Sequence, residues 1–92
     1  MSVPVVWTIA GSDSGGGAGI QADLHTFRSL NVHGCSVITT ITAQNSVETT
    51  GLSPLAADAI RQQLECLQQD MPPAAIKIGL LSNMQQLQCV AA

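Results

Sequence analysis

Two hydrophobic periods alternate along this chain, and the switches between them mark its elements. Residues Val3 to Ala10 form a short apolar run rich in β-branched side chains, Val5, Val6, Thr8 and Ile9. Such a run predicts a strand buried on both faces. From about Ala18 the period becomes helical: Ile20, Leu24 and Phe27 fall at i, i+4 and i+7, and Leu30 extends the stripe. That helix is expected to end near Asn31, ahead of His33-Gly34. Cys35 to Ala43 then carries six consecutive β-branched residues, Val37, Ile38, Thr39, Thr40, Ile41 and Thr42, the mark of a central strand. Strand, helix and strand in this order form a βαβ unit, whose strands are parallel and whose crossover is right-handed.

Gln44-Asn45-Ser46 leaves the carboxyl end of the second strand, and a polar turn region runs to Ser53-Pro54. These two residues read as a helix start, Ser53 at the N-cap and Pro54 at the first helical position. Ala56, Ile60, Leu64 and Leu67 give the second helix its buried face, and Pro72-Pro73 stops it. A third short strand is expected over Ala74 to Ile78, ending at Gly79. Ser82 and Gln85 have the spacing of a capping box. Met84 and Leu87 begin the apolar face of a last helix, which reaches Ala92 with no C-cap signal and is expected to continue in a longer chain. The pattern predicts parallel strands near 4–10, 35–43 and 75–79. It shows neither an internal repeat nor an interdomain linker.

Composition narrows the function classes. Ninety-two residues allow one domain at most, with a small core, since a chain this short buries roughly two-thirds of its surface. The 10% charged fraction is well under the usual value of about 25% and suits a piece whose surfaces are covered by more protein. Net charge is −3, and the basic residues Arg28, Arg61 and Lys77 are far apart in sequence, so no basic patch is formed for nucleic acid. Trp7 and Phe27 are the only Trp and Phe, too few for a base-stacking platform. The cysteines, Cys35, Cys66 and Cys89, are odd in number and contain no C-x-x-C pair. They read as buried or semi-buried thiols of a reducing compartment. Met1-Ser2-Val3-Pro4 lacks a basic leader, and no apolar run approaches the roughly 18 residues of a membrane span. A soluble cytoplasmic protein is expected.

Between the first strand and the first helix lies Gly11-Ser12-Asp13-Ser14-Gly15-Gly16-Gly17-Ala18-Gly19, with five glycines in nine residues. A phosphate-binding P-loop requires Lys after its last glycine, and none follows here. Gly17 to Ala22 matches the G-x-G-x-x-A dinucleotide fingerprint. It begins six loop residues too late, however, and the second strand ends at Gln44 rather than near an acid for the ribose. A plain flexible connection is the other reading, set against the folding entropy that each glycine costs. Small residues in this number suggest that a ligand or another segment approaches the backbone closely. Asp23 falls between Ile20 and Phe27 at the edge of the apolar stripe. It is either an acid favoured near a helix start or a carboxylate facing the cleft at the carboxyl ends of the strands. Gln44 is either a turn cap or a ligand-reading amide at the end of a central strand. A carboxamide pairs bidentately with an amino group beside a ring nitrogen, as an aminopyrimidine presents.

Thr8 to Leu24, Gly34 to Thr39, Thr42-Ala43-Gln44-Asn45 and Lys77-Ile78-Gly79 together resemble, in order and spacing, the hydroxymethylpyrimidine/phosphomethylpyrimidine kinase family. The resemblance covers nearly the whole chain, and its first block is long enough to be specific. It implies a three-layer ribokinase-like α/β fold with a parallel sheet, of which residues 1–92 supply the N-terminal βαβαβα portion of one kinase domain. It also implies ATP-dependent phosphorylation, with Mg2+, of 4-amino-5-hydroxymethyl-2-methylpyrimidine and then its monophosphate, in thiamine biosynthesis. Gly11 (through its backbone), Asp23 and Gln44 match family positions that line the pyrimidine pocket. Leu80 stands where the family usually has Met, an apolar wall of similar volume. His25 replaces a common Lys. The family's later glycine-rich anion hole, Gly-Thr-Gly followed by Cys or Asp, has no counterpart before Ala92, nor does the nucleotide-binding region. The resemblance therefore assigns no catalytic residue here and predicts no activity for the 92 residues alone. The expected partner is a small pyrimidine, with no nucleic acid or membrane, and a homo-oligomer is left open. The alternative is a non-catalytic pyrimidine-binding or interaction module.

Overall fold

The computed structural model describes residues 3–91; Met1, Ser2 and Ala92, and with them the expected continuation of the last helix, lie outside the described residues. The elements in chain order are β1 (Val5–Asp13), α1 (Gly19–Ser29), β2 (His33–Gln44), β3 (Thr49–Pro54), α2 (Ala57–Asp70), β4 (Ala75–Ile78) and α3 (Met84–Ala91). One four-stranded sheet has the order β3-β2-β1-β4. β1 pairs parallel with β2, placing Trp7 opposite Cys35 and Ile9 opposite Val37. It also pairs parallel with β4, with Thr8 opposite Lys77. The three expected parallel strands are therefore present, with β1 in the centre.

Successive strand residues face opposite sides of a sheet, and β1 shows what each side carries. Thr8 hydrogen-bonds Asp23 of α1, whereas Ile9 packs into a core cluster with Val37 and Ile60 of α2. The helices thus form layers above and below the strands. On the α1 side, a Cβ at Gly34 would stand 2.9 Å from the Leu24 side chain and 2.8 Å from that of Phe27. Only a residue without a side chain lets α1 settle onto β2 at that point. On the other side, Leu55, Leu64, Leu67, Cys89 and Val90 extend the core. The Trp7 indole donates to the Met71 carbonyl at 2.9 Å and pins the end of α2 to β1. Of the three thiols, Cys35 is buried and Cys89 half-buried as expected, but Cys66 is exposed on α2.

Four local expectations need correction. The segment after Gln44 is not all turn: Thr49–Pro54 returns antiparallel along β2, making the sheet mixed. Asn45 holds the reversal, its Oδ1 accepting from the Val47 and Glu48 amides. Ser53-Pro54 therefore ends a strand instead of opening a helix. Proline suits an edge strand, where no ladder donor is missed. α2 starts three residues later, behind Ala56, with no side-chain cap. The cap of α3 is also shifted by one. The Asn83 Oδ1 accepts from the Gln86 amide at 2.9 Å, and the Gln86 Oε1 accepts from the Ser82 amide at 2.8 Å. Finally, the buried face of α3 is Gln86, Cys89 and Val90, while Met84 and Leu87 are exposed.

Candidate functional site

The parallel strands end on the same side of the molecule, and the segments leaving them enclose a cleft of about 460 Å³. A β-bulge opens it. The β1–β2 register slips between Ala10 and Ser12, so Gly11 sits at the irregularity, where a bulge re-aims the chain. Gly19 begins α1 with φ of 61°, and a Cβ there would run into the Gly11 carbonyl oxygen. The glycine loop is thus needed for close approach of its two ends, which any side chain at Gly19 would prevent.

The loop is held by its own acid. Asp13 accepts from the Gly15 amide on one carboxylate oxygen (2.7 Å) and from the Gly17 amide on the other (2.9 Å). Gln21 of α1 accepts from the Asp13 amide at 2.9 Å and donates to the Ser12 hydroxyl at 2.8 Å. Burial works to raise the Asp13 pKa. Hydrogen bonds from Gly15, Gln44, Ala18 and Gly17 together outweigh it, and the carboxyl titrates below its ordinary value of 3.8.

Gly11, Gln44 and Leu80, expected at the site, all line this cleft. Ser14 ties the loop to the end of β2 by accepting from the Gln44 amide (2.8 Å) and donating to its carbonyl (2.5 Å). The Gln44 carboxamide oxygen accepts from Thr49 of β3 at 2.7 Å. Leu80 follows β4. Its carbonyl accepts from the Thr39 hydroxyl at 2.6 Å, which sets its side chain beside Gly11. Asp23 is placed differently from the other three. Its carboxylate does not line the cleft but accepts from Thr8 (2.6 Å) and from Lys77 (2.9 Å), and it is Lys77 that lines the cleft. Burial raises the Asp23 pKa, but these two hydrogen bonds and the Lys77 charge prevail, leaving it below 3.8.

Lys77, Thr42 and Asp13 are cleft residues that sequence reasoning did not select. Lys77 was visible only as part of the Lys-Ile-Gly block that carries the family resemblance, and Thr42 as the end of a β-branched run. Thr49 and Leu52 reach the cleft on β3, a strand with no burial pattern to announce it. Among the described residues no group of three or more His, Cys, Asp or Glu could hold a metal ion. Asp13, the one carboxylate lining the cleft, already has both oxygens occupied by backbone amides.

A sequence model described as phosphomethylpyrimidine kinase matches residues 13–92. The chain belongs to this family. It is 50% identical over 91 residues to the hydroxymethylpyrimidine/phosphomethylpyrimidine kinase of Bacillus subtilis strain 168, covering 99% of this chain and 34% of that protein. The Haemophilus influenzae enzyme of the same name is likewise 50% identical, over 90 residues. Among solved structures, phosphomethylpyrimidine kinase from Clostridium difficile 630 superposes with a TM-score of 0.91 at 46% identity, over 95% of this chain and 38% of that one. A Bacillus subtilis pyridoxal kinase, solved as an ADP complex, superposes with a TM-score of 0.89 at 39% identity, over 98% of this chain and 34% of that one. The fold is thus that of the ribokinase-like kinases. The chain spans about a third of the length of the curated relatives it matches.

Proposed function

We propose that these residues form the pyrimidine-binding part of an ATP-dependent kinase that phosphorylates 4-amino-5-hydroxymethyl-2-methylpyrimidine and its monophosphate in thiamine biosynthesis. The observation that carries the reading is the cleft itself, where Gln44, Gly11 and Leu80 converge from three different segments. The Gln44 carboxamide would pair with the amino group and adjacent ring nitrogen, exchanging its contacts with Thr49 and Asp13 for the ligand. Leu80 would cover the ring, and Gly11 would let the backbone come close. Phosphoryl transfer depends on positioning and charge stabilisation more than on covalent chemistry, and these residues would hold the acceptor hydroxymethyl group in place. ATP and Mg2+ would be bound by residues beyond those described. The same reading carries a cytoplasmic location. No described helix is long and apolar enough to cross a membrane.

Titration calorimetry of the chain with hydroxymethylpyrimidine, beside pyridoxal, tests the reading. Binding of the pyrimidine with weaker or no binding of pyridoxal is expected, because pyridoxal lacks the amino edge for Gln44. Preference for pyridoxal would move the assignment to the pyridoxal kinases, whose solved structures are also similar to this chain.

A further inference from the structure

The two substrates of the proposed reaction differ mainly in charge: the first is a neutral alcohol, the second a phosphomonoester carrying roughly −1.5 to −2 at neutral pH. A cleft that accepts both must meet that charge. Among the described residues lining it, Lys77 is the only cation. Arg61 is engaged with Asp58 on α2, and Arg28 lies on the last turn of α1.

The Lys77 ammonium is unusually well prepared for this. It donates to Asp23 at 2.9 Å, and Asp23 is in turn fixed by the Thr8 hydroxyl at 2.6 Å. An ammonium has three donors, so those not turned to Asp23 are available to a ligand. The Lys77 side chain is 50% exposed, against 17% for Asp23, so the pair is open on the lysine side. Gly79 lines the cleft beside the ammonium. A Cβ there would lie 3.3 Å from Nζ, so the absent side chain leaves room next to it. The cleft's own carboxylate, Asp13, is turned into the amides of the glycine loop and does not compete for the cation.

From this geometry, and resting on the pyrimidine reading above, we propose that Lys77 is the specificity residue for the phosphorylated substrate. Its ammonium donates to a phosphate oxygen of the pyrimidine monophosphate, and Asp23 is the positioning residue that aims it. Asp23 thereby acts on the site without touching the ligand.

The test is calorimetry of wild-type chain, Lys77→Met and Lys77→Arg with hydroxymethylpyrimidine and, separately, with its monophosphate, each variant's melting temperature being recorded. Lys77→Met is expected to weaken the monophosphate by about tenfold or more, the lower end for a charged hydrogen bond. The alcohol should change by less than about threefold, since a half-exposed ion pair contributes little to the fold. Lys77→Arg should keep most of the monophosphate affinity. Equal weakening of both ligands in Lys77→Met, or no weakening of either, would overturn the assignment and leave Lys77 as a structural partner of Asp23. A wild-type chain that binds neither ligand sinks the pyrimidine reading itself, and this inference with it.

Discussion

At the scale of single residues, Gln44 has two loads, and they predict different losses. Its backbone closes onto Ser14 and holds the glycine loop, while its carboxamide faces the cleft and contacts Thr49 and Asp13. Gln44→Glu keeps the backbone contacts and the shape. It replaces the amide donor with a charged acceptor, opposite a ring nitrogen that also accepts. An unpaired buried polar group costs about 1–3 kcal/mol, so pyrimidine affinity should fall roughly 5- to 150-fold with the fold retained. Wild-type affinity in a folded Gln44→Glu variant, measured by calorimetry, would exclude the pairing. Asp13 makes a prediction about pH. Its folded pKa lies below 3.8, so its contribution to stability is present above that value and is lost as pH falls through the folded pKa. Asp23 adds a contribution of the same sign. In Asp13→Asn the melting temperature should be lower at neutral pH, because an amide cannot accept on both of its ends from Gly15 and Gly17. It should also fall less steeply on acidification below about pH 4. An acid limb as steep as in wild type would show that the Asp13 contacts do not matter to stability.

At the scale of elements, the joint between α3 and the sheet is polar where hydrophobic patterning expects leucines. Gln86 is fully buried. Its amide nitrogen donates to the carbonyls of Thr39 in β2 and Leu55, each at 2.8 Å, and its oxygen accepts from the Ser82 amide. This one side chain ties together three backbone groups from three segments, of which the Thr39 carbonyl has a second donor in the Leu55 amide. Gln86→Leu gains apolar volume yet strands the Leu55 carbonyl and the Ser82 amide, while the Thr39 carbonyl keeps only the Leu55 amide (2.8 Å), and it is expected to destabilise the chain by about 1–3 kcal/mol or more. Denaturant melts will show this; an unchanged midpoint would mean that water replaces the amide without loss. The apolar stripe of α1 was readable from sequence over Ile20, Leu24 and Phe27, which lie against the sheet, but not at Leu30, which sits at the C-cap and is exposed. The stripe assigned to α3 was not. Met84 and Leu87 have the right spacing but follow a cap displaced by one residue, and one residue turns a helix by about 100°. β3 was missed for a related reason. Its residues are nearly all exposed, so it carries no inside–outside alternation, and only its ladder to β2 makes it a strand.

At the scale of the whole molecule, β4 is the edge of the parallel sheet, and Ile76 and Ile78 on it are half-exposed. The low charge fraction had suggested surfaces covered by more protein, and the chain spans about a third of its relatives' length. The 92 residues alone are expected to show no ATP-dependent conversion of hydroxymethylpyrimidine, since they contain no Gly-Thr-Gly anion hole to stabilise the transferring phosphoryl group. Measurable turnover by the pure chain would refute this. What sequence by itself determined was the alternation of strand and helix, the parallel pairing it forces, and the family. These follow from periodicity, from the handedness of βαβ crossovers and from a long glycine-rich motif, all local in the chain. The tertiary structure alone decided that the hairpin return of β3 brings Thr49 and Leu52 to the cleft. It also decided that Asp23 reaches the cleft only through Lys77, 54 positions away in sequence. Both depend on strand register and on distances between remote segments. A side chain's spacing along its own helix fixes the direction it points, but not the partner it meets there.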